Sequence, residues 1–283
     1  MSRAVCISVL IAAAACRSPS SATGSGSTSG SVSGSVSGSA SGSGSGSGSG
    51  FGSGSGSGSG SDSVSGSDSA VDAGIDAPLA TIKDWLIDWP PSRDAAMLAY
   101  RRTHTDAAAT DTTIAPRMIV LHYTAGGSAK GTKQYFDRPH LEESRAKLRE
   151  GGDVNVSAHF LVDQDGTIFR LLPETRMARH AIGVNHIAIG VENVGDEDKY
   201  PLTDAQIDAD AALVRDLVAR YPTITLLVGH HEVRSLEGTE WFVERDPTYR
   251  NKKPDPGPRF MAAVRARIAD LRLDGPDDII KKP

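Results

Sequence analysis

Short, dense runs of apolar residues punctuate this chain, and their spacing predicts which become strands and which become helices. In the folded part the first dense run of β-formers is Met118–Tyr123, which predicts a buried strand with His122 at its end. A second run covers residues 158–162. Asp163-Gln164-Asp165-Gly166 then turns the chain into residues 167–171, a hairpin signal. Strands are also expected over residues 187–192, after a loop holding His180, Asn185 and His186, and over residues 225–228, ending at Gly229-His230-His231. Between them Thr203-Asp204-Ala205-Gln206 has the pattern of a capping box. Ile207, Leu213, Val214, Leu217 and Val218 follow at helical spacing as far as Arg220, predicting a core-facing helix. After Lys253-Pro254-Asp255-Pro256-Gly257, residues 259–271 predict a last amphipathic helix. Strands and helices interleave, so the expected class is α/β in the mixed α+β sense: a single domain with a central mixed sheet flanked by helices.

The pattern is different at the N-terminus. Arg3 precedes an apolar run over residues 5–15, too short to span a bilayer and suited to the hydrophobic region of a secretory signal. It ends Ala13-Ala14-Ala15-Cys16, small residues before a cysteine, which resembles a lipoprotein processing site; Arg17, following that cysteine, favours sorting to the outer membrane, facing the periplasm. Residues 24–69 are almost wholly Gly and Ser, with too few apolar side chains to offset the entropy of folding. A flexible chain of about 45 such residues spans about 35 to 40 Å on average and roughly 150 Å at full extension. The expected organisation is a lipoprotein signal peptide at 1–16, a tether at 17–77, one folded domain at 78–275 and a tail at 276–283.

Composition narrows the chemistry. The formal net charge is −5, and there is no basic aromatic-rich patch, so no nucleic-acid partner is expected. The only cysteines, Cys6 and Cys16, lie in the leader, so a metal site in the folded part must draw on His, Asp or Glu. His122, His230 and Asp255 each sit at a strand end or in a Pro/Gly-bounded turn, where a rigid scaffold presents side chains on one rim. Two imidazoles and a carboxylate can hold zinc and leave a fourth position open.

Five words occur in order: Val120-Leu121-His122-Tyr123-Thr124-Ala125, Ser157-Ala158-His159-Phe160, Ile189-Gly190-Val191-Glu192-Asn193, Gly229-His230, and Lys253-Pro254-Asp255-Pro256-Gly257. Over roughly residues 117–271 they resemble the zinc-dependent N-acetylmuramoyl-L-alanine amidases, the family that includes animal peptidoglycan recognition proteins. The resemblance implies a peptidoglycan recognition protein-like fold, Zn2+ held by His122, His230 and Asp255, Glu192 as general base and Lys253 beside the developing oxyanion. His230 rather than His231 is chosen because the family ligand directly follows the glycine. Some members carry Tyr before the histidine of the second word; Ala158 stands there, which shifts weight to Glu192. His180 and Asn185 match positions that hold the sugar-peptide substrate, while His159 is open between a role near the site and a structural one. Residues 237–250, with Trp241 and Phe242, are equally open between a cleft wall and simple packing.

The implied activity is hydrolysis of the amide between N-acetylmuramic acid and L-alanine in peptidoglycan or muropeptides, by a monomer anchored to the membrane through Cys16. The alternative is a non-catalytic peptidoglycan-binding lipoprotein on the same fold. A zinc peptidase would need a pattern such as His-Glu-x-x-His, which does not occur. The leader yields a direct test: Cys16→Ala should release the full-length protein from membranes or block its processing, and unchanged attachment in fractionated cells would defeat the lipoprotein assignment.

Overall fold

Alternation along the central strands sets the architecture. In β2 (Met118–Tyr123), Ile119 and Leu121 face one side of the sheet while Met118, Val120 and His122 face the other, as a period of two requires. Both sides are buried: residues 118–121 are each 0% exposed. The computed structural model describes residues 80–281; the leader and tether expected at 1–16 and 17–77 lie outside those residues.

Five further strands join β2: β1 (Ile82–Asp84), β3 (Phe160–Val162), β4 (Ile168–Arg170), β5 (Ala188–Asn193) and β6 (Leu226–Gly229). Their order is β1-β4-β3-β5-β2-β6, with β3 and β4 antiparallel and every other neighbouring pair parallel. The expected mixed sheet is therefore present, and β3 and β4 are the expected hairpin. Gly166 closes the turn at φ +83°, donating its N–H to the Asp163 carbonyl.

On one face, Ile119, Leu121, Ile189, Val191 and Leu227 pack against α4 (Asp204–Arg220) and α5 (Pro258–Arg267), which bring Ile207, Val214, Leu217, Met261 and Val264. Each such side chain removed from water contributes about 1.5–3 kcal/mol. The capping box forms as read: Thr203 Oγ1 accepts from the Gln206 N–H, and Gln206 Oε1 accepts from the Thr203 N–H. On the opposite face Met118, Val120, Ala188, Leu226 and Val228 are covered by a 3-10 helix, His230–Leu236, bringing Val233 and Leu236, and by loop segments carrying Ala181, Val184, Trp241 and Phe242.

Several elements go beyond the sequence reading. These include β1, α1 (Pro91–His104), α2 (Ala129–Phe136) and the short α3 (Ala146–Arg149). The helix expected over 259–271 ends at Arg267 and continues as a 3-10 turn, Ala269–Leu271. The stretch read as a tail forms α6 (Pro276–Ile280), whose Ile279 packs onto the second face of the sheet, so the folded unit runs past residue 275. Among the described residues no helix is long and apolar enough to cross a membrane.

One buried acid links a helix to the sheet. Asp210 of α4 is 0% exposed, and the Asn193 amide donates to its Oδ2 at 2.9 Å and to the His122 carbonyl at 3.3 Å. Burial, only partly opposed by the Asn193 hydrogen bond, raises the Asp210 carboxyl from 3.8 to about 7. The fold thus favours the protonated acid, and the protein loses stability as pH climbs from the unfolded value towards the folded one. Asp210→Asn, which cannot ionise, should gain on the wild type by about 2 kcal/mol between pH 5 and pH 7 in urea unfolding, at 1.36 kcal/mol per unit. A difference that does not change with pH would show that Asp210 is charged in the fold.

Candidate metal centre

Strand register assembles the centre. In the parallel pairing of β2 with its neighbours, His122 lies opposite Glu192 of β5, and Leu121 lies opposite Gly229 of β6, so His230 follows next to His122. Alternation puts all three on the face away from α4 and α5, at the carboxyl ends of parallel strands, where open α/β sheets place their sites. Asp255 arrives from the loop before α5. Its carbonyl accepts both the backbone N–H of His231, at 2.8 Å, and the His231 ring Nδ1–H, at 3.1 Å. His231 therefore steadies the Asp255 backbone, and His230 is the histidine that reaches the centre.

The geometry is a triangle. His122 Nδ1 lies 2.9 Å from His230 Nδ1 and 3.2 Å from Asp255 Oδ2, and His230 Nδ1 lies 3.0 Å from the same oxygen. All three residues are buried. Two neutral imidazoles bring at most one Nδ1–H each, so hydrogen bonds can satisfy two edges of this triangle and never all three. A cation bound by all three atoms would leave no edge unsatisfied. Ligand atoms of a tetrahedral zinc with bonds of about 2.0–2.1 Å are about 3.3 Å apart, close to these separations. The donor set fits.

Electrostatics agree with that use. Burial, then the neighbouring His230, pulls His122 down to about 4, so it is a neutral imidazole with a lone pair to offer. Burial works to raise Asp255, but interactions led by His230 beside it outweigh burial and hold the carboxyl well below its usual range. Glu192 moves the other way. Burial and the nearby Asp255 push it well above the usual carboxylate range, against the opposing pull of Lys253 and Arg145. Its Oε2 is buried without a protein hydrogen-bond partner. Two carboxyls with pKa values driven apart in one site are the mark of groups with different jobs. Lys253 is partly buried, two residues before Asp255, and its charge is felt by both Glu192 and His122.

The remaining candidates separate. His180 joins the centre: its Nδ1 lies 3.0 Å from His122 Nε2. Asn185 does not. It is 2% exposed, its Oδ1 accepts the N–H groups of His180 and Ala181, and its amide reaches the Tyr100 hydroxyl, so it shapes the 180–185 turn and is spent on protein rather than on a ligand. His159 is structural, its Nδ1 accepting from the Gly190 N–H at 3.0 Å and its Nε2 donating to the Arg176 carbonyl at 2.8 Å. Trp241 and Phe242 are each 8% exposed and pack on the body of the domain, Trp241 beneath the Arg117 guanidinium at 4.2 Å.

Two glycines inside the family words give the rings around the centre their room. A Cβ on Gly190 would come within 2.7 Å of the His180 ring, and one on Gly229 within 2.7 Å of the His231 ring. Sequence gives a glycine in a strand as a sign of close approach, without naming what approaches.

A family model described as N-acetylmuramoyl-L-alanine amidase matches residues 112–258. The endolysin of Escherichia phage T7 is 36% identical over 98 residues, covering 33% of this chain and 64% of its own length. The 1,6-anhydro-N-acetylmuramyl-L-alanine amidase AmpD of Salmonella typhimurium is 34% identical over 127 residues, 41% of this chain and 59% of its own. Peptidoglycan-recognition protein SC2 of Drosophila melanogaster is 29% identical over 121 residues, 42% of this chain and 65% of its own. The chain thus spans about three fifths of the length of the curated relatives it matches.

The triangle makes a measurable claim. Wild-type protein stripped with a chelator and resupplied with zinc should regain about one ion per chain and be stabilised by about 4 kcal/mol at 1,000 times the dissociation constant. Asp255→Ala removes one corner and should lose both the bound zinc and the zinc-dependent gain in urea unfolding. Equal stabilisation of both proteins would place the metal elsewhere.

Proposed function

This chain belongs to the N-acetylmuramoyl-L-alanine amidase family, and from that premise we propose that it is a zinc-dependent hydrolase of the amide joining N-acetylmuramic acid to L-alanine in peptidoglycan or muropeptides. The observation that carries the proposal is the His122–His230–Asp255 triangle, of which hydrogen bonds between neutral rings and the carboxylate can satisfy only two edges, set one strand away from Glu192.

Bound by those three residues, zinc would supply a water of pKa near 7 and a Lewis acid for the scissile carbonyl. The chain's own residues do the rest. His122 and His230 bind as neutral rings and Asp255 as an anion, leaving the loaded centre with a net positive charge beside Glu192. That charge would favour the ionised carboxylate of Glu192, the form that accepts a proton. Glu192 takes a proton from the attacking water and passes it to the departing nitrogen of L-alanine. As the C–O bond forms and the C–N bond breaks, Lys253 offers an N–H donor to the oxyanion, favouring the tetrahedral species over the neutral amide. The products are a muramyl lactate carboxyl and a stem peptide with a free amine.

The same reading puts the domain at the envelope: lipid on Cys16 would hold it at the outer membrane facing the periplasm, and residues 17–77 would give it reach. Its support is the pattern of the leader.

Metal binding and chemistry separate by mutation. Glu192→Gln keeps size and hydrogen bonding but cannot accept a proton. It should retain zinc while turnover of muropeptides falls roughly 100-fold or more, the usual loss for a general base. Lys253→Ala should behave likewise. Near-native turnover in zinc-loaded Glu192→Gln would remove Glu192 as the base. A wild type that binds zinc and peptidoglycan yet releases no stem peptide, as read by mass spectrometry, would favour the non-catalytic alternative.

A further inference from the structure

A metal-binding imidazole must present one nitrogen bare, and which one is bare depends on what the other nitrogen touches. In many sites a carboxylate takes the far N–H. At His122 the far nitrogen meets a second histidine: His122 Nε2 lies 3.0 Å from His180 Nδ1, with the two rings nearly perpendicular at 87°. His180 Nε2 in turn faces the Ala188 carbonyl at 3.3 Å.

The direction of this relay follows from its end. A carbonyl accepts and never donates, so His180 Nε2 carries the hydrogen; a neutral imidazole has only one, so His180 Nδ1 is a bare acceptor. The hydrogen between the rings then belongs to His122 Nε2. His122 Nδ1 is left as a lone pair, aimed at His230 and Asp255. The opposite tautomer would point an N–H into the triangle and leave two lone pairs facing each other between the rings.

The fold holds His180 for this contact. Its ring lies over Gly190 of β5, where any Cβ would sit 2.7 Å from the ring Cγ, and the Gly190 N–H is committed to His159, whose ring stands edge-on to His180 at 6.0 Å. Asn185 Oδ1 takes the His180 backbone N–H. Substrate contact is thus not the role the surroundings of His180 describe.

We propose that His180 is a positioning residue of the metal centre, fixing His122 in the Nε2–H tautomer so that its Nδ1 can bind the ion. This rests on the reading of His122 as a zinc ligand. The test uses the full chain. Nitrogen-15 spectra of histidine side chains in zinc-free wild type should report His122 protonated on Nε2 and bare on Nδ1. Zinc affinity by chelator competition should fall about 10- to 100-fold in His180→Phe, which has no acceptor. His180→Asn puts an amide oxygen where Nδ1 stood and should recover most of that loss. Gly190→Ala, which displaces the ring without touching its chemistry, should weaken zinc as His180→Phe does. Wild-type zinc affinity in both His180→Phe and Gly190→Ala, or a zinc-free wild type with His122 protonated on Nδ1, would overturn the proposal. Should wild type take up no zinc at all while His122 is protonated on Nε2, the ligand reading fails and the tautomer relay stands.

Discussion

Backbone pairing of β2 with β5 on one side and β6 on the other is the constraint on which this molecule depends. It aligns His122 with Glu192 and brings His230 beside them. A shift of one residue in either pairing would turn a site residue to the face covered by α4 and α5. The register is protected by burial, since Met118, Ile119, Val120 and Leu121 are fully enclosed and their neighbours Ile189, Val191, Leu227 and Val228 nearly so. Stability and site geometry are therefore held by the same contacts.

At the end of those strands the protein gathers groups whose charges conflict. His122 is kept neutral by burial, Asp255 is kept ionised by His230 beside it, and Glu192 is pushed towards protonation by burial and by Asp255. Without a cation the triangle has an edge that no hydrogen bond can satisfy. A bound cation would give Asp255 a counter-charge and favour the ionised form of Glu192.

The residues around the triangle act mostly on backbone. His231 holds the Asp255 carbonyl, Asn185 holds the turn that carries His180, and Asn193 joins the His122 carbonyl to the buried Asp210. Further out, Arg179 is 2% exposed and ties the Gly152 and Leu148 carbonyls and the Tyr249 hydroxyl together. The 237–250 segment reaches that hub through Tyr249 and the sheet through Trp241 and Phe242, which is why it reads as packing.

The sequence by itself determined the sheet-forming runs of β2 to β6, the hairpin, the capping box and the three residues of the triangle. These are local signals: apolar period, turn chemistry, and ligand-type residues inside short words that match one family. It gave no sign of α1, because the buried stripe Arg93, Met97, Tyr100 and His104 has helical spacing but only one purely apolar member. Nor could it separate His180 from Asn185, which are five residues apart and were assigned the same role. Tertiary structure decided that one reaches His122 and the other the Tyr100 hydroxyl. It also decided that His231 supports Asp255 while His230 faces it, and that Gly190 is a glycine for the sake of a ring above it. Chain order records which residues are available, whereas the direction of a side chain and the partner of each ring nitrogen depend on strand register and on contacts between segments far apart in the chain.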